Sequence, residues 1–442
     1  MKTFSLPSIF LLCTISILIV FGCKPKIEKT KNNNVISSDI DLFWEAFDAI
    51  TKIKDSTEQV LVFDSLYTKK GTEGLGTLMQ VRNYSSAEYV QLINTYPKFW
   101  ASIRANTLKA HTIKEDLNTG ITMLEDLYSP LKPAKIYIAM GCMRTNGTTL
   151  GDKVMIGAEL ALLDESADVS EFDDATREWL EGLIEEKPQA NLVFLNVHEY
   201  VHTQQQPISD QLLYISLYEG VAEYVTTLAM DMPSSTPAIK YGKGNPKVKE
   251  AFEKEMFYNY TFNWLWSNYP NQFGTRDLGY HIGYEMAETY VNSQADKEEA
   301  VKTLIELDYT DTDTIDKFID DLNFFSKSIA ELKEEDRGSR PKVATVKQFE
   351  NGSQDVNPNI KQITFEFSEA LNGMNSGLDL GPLGREAFPK VNDRKWAETF
   401  KSWSLDVELE PNKIYQILLS NNFRNKENEA LVPYLLEFKT GG

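Results

Sequence analysis

Asn191-Leu-Val-Phe-Leu-Asn-Val-His198-Glu199-Tyr200-Val201-His202 is the stretch on which the reading of this chain turns. Its apolar residues recur at helical spacing, and Pro207 closes the run after the polar Gln204-Gln205-Gln206. Positions i and i+4 of a helix share one face, so His198 and His202 can grip one metal ion together. Glu199, between them, is placed to take a proton from metal-bound water. The chain has only four histidines and spends two of them here. The spacing His-Glu-x-x-His is that of zinc hydrolases, whereas the competing reading is a solvated helix with two spare histidines.

Two histidines supply too few ligands, because catalytic zinc takes a third protein ligand and keeps one position open for water. A second helix is expected from about Asp210, as N-cap, to about Met230. It carries Leu217-Tyr218-Glu219-Gly220-Val221-Ala222-Glu223-Tyr224. Two glutamates four apart are usually solvated, but these flank Gly220 and Ala222 in an apolar segment, so at least one turns inward. A buried carboxylate needs a partner, and a metal or a histidine provides it. Glu219 is therefore the expected third zinc ligand. Glu223, one turn on, is the expected acceptor for the second ring N–H of a zinc-bound histidine.

With the Glu-Gly-x-Ala-x-Tyr helix following it, the motif resembles the gluzincins, the clan of thermolysin and the alanyl aminopeptidases. The resemblance implies zinc held by His198, His202 and Glu219, with Glu223 supporting a zinc histidine. It also implies that a downstream Tyr-x-x-Gly tyrosine stabilises the oxyanion. This chain has Gly279-Tyr280-His281-Ile282-Gly283-Tyr284. Tyr280 is the expected oxyanion donor, His281 the second choice, and Tyr284 shares a helical face with Tyr280. Aromatics at helical spacing also suit a plain core. The closest likeness is to bacterial predicted zinc-dependent proteases, and gliding-motility lipoproteins of the GldB kind look related. The likeness spans residues 130–295 and lacks an exopeptidase-type Gly-x-Met-Glu-Asn segment upstream. The chemistry implied is peptide hydrolysis by metal-activated water, with Glu199 as general base.

An extended peptide binds by adding a strand to a sheet edge. Residues 135–140 and 154–158 are short β-leaning runs separated by a Gly/Asn/Thr-rich loop over 141–151, and a hairpin beside the metal helix is expected. Residues 36–130 carry helical periodicity, 168–186 read as an exposed acidic helix, and 249–269 as a helix dense in aromatics. A further helix is expected over 312–325 with Asp311 as cap. Asp308, Asp311, Asp313 and Asp316 lack the glycine and spacing of a calcium loop and are expected to cap and solvate.

The first 22 residues form a signal peptide, with Lys2 followed by an apolar stretch from Ile9 to Phe21. Val20-Phe21-Gly22-Cys23 resembles a lipobox, which implies lipid on Cys23; the apolar run is short for the competing transmembrane anchor. Residues 23–35 are then a lipidated polar tether. Cys142 alone of three cysteines remains unmodified in the mature chain, so no intramolecular disulfide is expected.

After a charged stretch at 331–340, composition turns to β. Ile363, Phe365 and Phe367 alternate with polar residues, as do Leu405, Val407 and Leu409, and Tyr415, Ile417 and Leu419. The segment 341–442 resembles bacterial Ig-like domains, which implies a spacer or an arm for a protein partner. The fold class expected is α+β: a mostly helical zincin-like metallopeptidase domain with a small sheet over 36–335, then an all-β Ig-like sandwich over 341–442. A net charge of −20 argues against nucleic acid as partner. The function expected is a zinc peptidase acting on a peptide or protein, lipid-anchored in a Gram-negative envelope on the periplasmic side or outer-membrane surface. The rival is a non-catalytic envelope lipoprotein of gliding or secretion type on the same fold.

Overall fold

The computed structural model describes residues 34–267, 271–374, 376–427 and 429–442. The expected signal peptide, lipobox and Cys23 lie outside the described residues. No helix among the described residues is long and apolar enough to cross a membrane. The fold is α+β, with residues 34–442 forming one compact unit.

Six helices between Ser38 and Leu127 build the first layer. Their starts are set by short polar side chains that satisfy orphan N–H groups. Asp55 accepts from Glu58 N, Thr72 from Leu75 N and Ser85 from Glu88 N. Phe43, Phe63, Tyr67, Tyr89 and Trp100 interlock behind these helices with mostly edge-on or tilted rings, and all five are fully buried. Tyr67 and Tyr89 both donate to the Met140 carbonyl, at 2.8 and 2.7 Å, tying this layer to the end of a small sheet.

That sheet runs β1 (Val35–Ile36), β2 (Lys135–Ala139), β4 (Lys153–Gly157) and β3 (Thr148–Leu150) from one edge to the other. β2 and β4 pair in parallel, so they are not the hairpin expected from sequence. The hairpin is β3–β4, turned at Gly151, which has φ +60°. Three residues inside the presumed loop thus form the edge strand. Thr148-Thr149-Leu150 is too short and polar to stand out by alternation.

The motif helix (Pro188–His202) lies against this sheet. Ala134 N donates to Tyr200 Oη at 2.7 Å, fixing the helix to the start of β2. The carboxylate helix (Leu212–Met230) and the tyrosine helix (Leu278–Ser293) follow. Asp210 is not the cap of the former; it accepts from Asn259 Nδ2, and Gln211 takes the N-cap position. The first N–H groups go instead to distant carbonyls, Leu212 to Tyr258 O and Leu213 to Met256 O, at 2.9 and 2.8 Å. The aromatic helix expected over 249–269 is only Lys247–Phe252. Beyond it the chain turns irregularly, because Trp264 O is used by Gly279 N and the 256–258 carbonyls by the carboxylate helix. The acidic helix is Asp174–Glu185, and Asp311 caps Thr312–Asp321 through Thr314 N. Asp308 accepts from Thr310 N.

A second, separate core begins at Val346. It lies between a four-stranded sheet of β5 (Val343–Val346), β6 (Gln362–Phe367), β9 (Ser402–Glu408) and β8 (Lys390–Trp396), and a three-stranded sheet of β7 (Leu378–Asp379), β10 (Ile414–Leu419) and β11 (Tyr434–Lys439). Lettered in chain order, these are the ABED and CFG sheets of a constant-type Ig sandwich. Phe365, Trp403, Tyr415, Ile417 and Phe438 fill the space between them. Arg340 joins the two halves. Its guanidinium donates to Ala430 O and Leu431 O, both at 2.7 Å, and sits 4.5 Å over the Tyr258 ring.

Candidate metal centre

Two helices, the motif helix and the carboxylate helix, bring the sequence-predicted ligands together. His198 Nε2 and His202 Nε2 are 3.0 Å apart, and Glu219 Oε2 lies 3.3 Å from each. Zinc with bonds of about 2.0–2.1 Å at tetrahedral angles spaces its ligand atoms by about 3.3–3.4 Å. The three donors therefore form, within a few tenths of an ångström, one face of such a tetrahedron. His198, His202 and Glu219 are the group among the described residues whose donor atoms converge in this way.

Each histidine is held from behind. Glu223 Oε2 lies 2.9 Å from His198 Nδ1, an ion-pair contact turned off the line of a good hydrogen bond. The other Glu223 oxygen accepts from Ser234 Oγ and from Thr236 Oγ1, the latter at 2.8 Å. His202 Nδ1 faces Gln205 Oε1 at 2.7 Å, which makes it the protonated nitrogen and leaves Nε2 free to ligate. Gln205 is fixed in turn by donating to Tyr218 O and Tyr309 Oη. The Tyr218 ring stacks on His202 at 4.5 Å between centroids. Sequence reading took Gln205 as part of a polar terminator; its position three residues after His202 was the available signal.

Electrostatics favour a cation here. Burial alone would pull the His198 imidazole down, yet Glu219 and Glu223 outweigh it and push it up to about 10. Burial pushes the Glu219 and Glu223 carboxyls up, but the two histidines for Glu219, and His198 with two hydroxyls for Glu223, hold both below the usual carboxylate range. Two buried carboxylates thus demand positive charge, which a proton on His198 or a divalent ion can supply.

Glu199 is half-buried beside the edge strand. Thr149 Oγ1 donates to its Oε2 at 2.7 Å and reaches its backbone carbonyl at 3.1 Å. Gly147 passes the Glu199 side chain closely enough that an added Cβ would sit 3.6 Å from its Cγ. Burial, with the charges of Glu219 and Glu199, pushes the Tyr218 hydroxyl up.

Of the downstream candidates only Tyr280 reaches the centre. Its ring is 6.0 Å from that of His198, and burial and the Glu219 charge push its hydroxyl up. Two glycines set this approach. A Cβ on Gly220 would fall 2.1 Å from Gly283 C, and one on Gly283 only 1.8 Å from Ser216 O, so the carboxylate and tyrosine helices cross backbone to backbone. His281 points elsewhere: its ring fills the space beside Gly242 and its Nε2 lies 3.4 Å from Glu285 Oε2. Burial and the nearby Lys243 and Lys249 pull it down to about 4. Tyr284 packs edge-on against Tyr224 at 5.1 Å, under the Lys243 ammonium. A step of 100° per residue turns His281 away from the face Tyr280 occupies. Cys142 is buried, and burial pushes its thiol up, the opposite of a reactive nucleophile.

No family model matches this chain, and no curated protein matches it. Solved structures of bacterial S-layer proteins align with it. One is the S-layer protein rSbsC(31-844), 12% identical, covering 91% of this chain and 45% of that one, with a TM-score of 0.18. Another is the N-terminal part of the bacterial S-layer protein SbsC, 11% identical, covering 91% and 77%, also at 0.18. The chain spans less than half the length of the first of these. At such TM-scores the likeness carries no inference about fold or activity.

Proposed function

We propose that this chain is a zinc-dependent peptidase of the gluzincin kind, lipid-anchored through Cys23 on the face of a Gram-negative envelope. The convergence of His198 Nε2, His202 Nε2 and Glu219 Oε2 at 3.0–3.3 Å carries the reading. Three N/O ligands without cysteine suit a catalytic site better than a structural one, which is closed by four. Zinc held by His198, His202 and Glu219 would supply an activated water and a Lewis acid for the carbonyl.

The chain's own residues do the rest. Glu199 takes the proton of the attacking water and returns it to the leaving amine, held for that exchange by Thr149. Tyr280 donates its hydroxyl to the developing oxyanion. The free edge of β3 offers backbone groups to an extended peptide next to Glu199. Gln205 and Glu223 keep both histidines in the ligating orientation. Lipidation of Cys23 and the envelope location rest on the Val20-Phe21-Gly22-Cys23 sequence.

The test is metal content and cleavage of a mixed peptide library by purified residues 24–442, wild type against Glu199→Gln. The reading expects one zinc per chain in both and cleavage by wild type alone. Zinc in both with cleavage by neither turns the assignment toward a binding lipoprotein. Absence of zinc from both removes the ligand set.

A further inference from the structure

The segment 256–266 touches both the helix that carries Glu219 and the helix that carries Tyr280. Its carbonyls cap the carboxylate helix at Leu212 and Leu213 and the tyrosine helix at Gly279. Tyr258 and Tyr260 pack with Ala430 of the β half, under the guanidinium groups of Arg340 and Arg424 at 4.5 and 4.6 Å. The segment ends at Trp266, whose backbone is left-handed at φ +57°. Such a conformation is strained for a non-glycine residue and persists only where its surroundings enforce it. Here Asp277, itself at φ +62°, accepts from Trp266 N at 2.6 Å, and Arg276 Nε braces the other Asp277 oxygen at 2.6 Å.

The result is an indole held on the rim, 55% exposed, with its Nε1 donating to Tyr280 Oη at 3.0 Å. Indole N–H is a donor only, so the Tyr280 oxygen must accept this bond. Its single proton is then forced to point away from the indole. A phenol that accepts one hydrogen bond also donates a stronger one.

We propose that Trp266 is the positioning residue for Tyr280, aiming the phenolic proton into the cleft where a carbonyl oxygen gains charge. This rests on the peptidase reading for its catalytic consequence, and on the Trp266–Tyr280 contact alone for its structural one. Trp266→Phe keeps an aromatic ring and removes the donor. Two measurements on the purified protein test it.

The first is independent of activity. With tyrosine labelled at the hydroxyl-bearing carbon, the Tyr280 resonance is identified among 20 tyrosines by its loss in Tyr280→Phe. It moves in Trp266→Phe if the indole holds the hydroxyl, and an unmoved resonance overturns the proposal. The second is kinetic, on a peptide the wild type cleaves. Trp266→Phe lowers kcat roughly three- to tenfold, the worth of one neutral hydrogen bond, with KM and zinc content retained. In a Tyr280→Phe background the same substitution costs nothing further. A loss that persists in that background, or a change in KM alone, overturns the positioning role. Should the wild type cleave nothing while the resonance still moves, the peptidase reading fails and the contact stands.

Discussion

Glu219 and Glu159 are both buried carboxylates of the helical half, 8% and 0% exposed, and their surroundings drive them in opposite directions. Around Glu219 stand two imidazoles, and they outweigh burial to keep the carboxyl ionised. Glu159 has no such cation among its partners; its two oxygens accept from Gly141 N and Met143 N, at 2.7 and 2.9 Å. Burial is its largest influence, those bonds offset only part of it, and its carboxyl is pushed up to about 7. The contrast separates a site built to receive positive charge from a tie that pins a loop. The Glu159 loop leads through Thr145 and Gly147 to the edge strand at Glu199, so it supports the cleft without facing the metal.

The sharpest way to break the contrast is to neutralise each carboxylate in turn. Glu219→Gln should lower zinc affinity by more than the roughly 100-fold upper range of outer-shell changes, measured by competition with a chromophoric chelator. Glu159→Gln should leave that affinity within about twofold, since affinities follow only differential contacts with the ion. Equal losses in both would erase the distinction.

Next in size is the support behind the histidines. Glu223→Gln should cost roughly 10- to 100-fold in zinc affinity, and Gln205→Leu an amount toward the lower end of that range. Removing zinc with a chelator should lower the wild-type Tm, because an ion that binds only the folded state at 1,000 times its Kd adds about 4 kcal/mol. Glu219→Gln should show no such dependence on chelator.

The smallest effect concerns Glu159 and pH. Its folded pKa of about 7 lies above the ordinary 4.5, so the folded state holds the proton more tightly. Its contribution to stability is full below about 4.5 and is lost as pH rises through about 7. Denaturant unfolding of the zinc-free protein between those limits should show a falling component in wild type that Glu159→Gln lacks. Parallel curves for the two proteins would contradict the assignment.

What the sequence made legible follows from range. His198, Glu199 and His202 fall within one helical turn, and Glu219 and Glu223 repeat that spacing on the next helix, so period alone places them on shared faces. Gly220 and Gly283 carried the crossing that brings Tyr280 to Glu219, although nothing local says which two glycines meet. The start of the carboxylate helix was misread because its N–H groups are satisfied by Met256 and Tyr258, more than 40 residues away, and not by Asp210. Trp266 was legible only as one of the aromatics over 249–269 that suit a core or line a substrate cleft; its tie to Tyr280 was not, since a left-handed tryptophan has no sequence signature and its partner is 14 positions on. The β2–β4 pairing was misjudged because the loop between them crosses the sheet before returning as β3.

The central claim is that His198, His202 and Glu219 together hold one zinc. X-ray absorption at the zinc edge of the loaded protein tests it most directly. The account predicts one zinc per chain in a shell of nitrogen and oxygen at about 2.0–2.1 Å with imidazole scattering, unchanged by Glu199→Gln and lost in Glu219→Gln. A sulfur at about 2.3 Å, or zinc retained unchanged in Glu219→Gln, would place the ion elsewhere and contradict it.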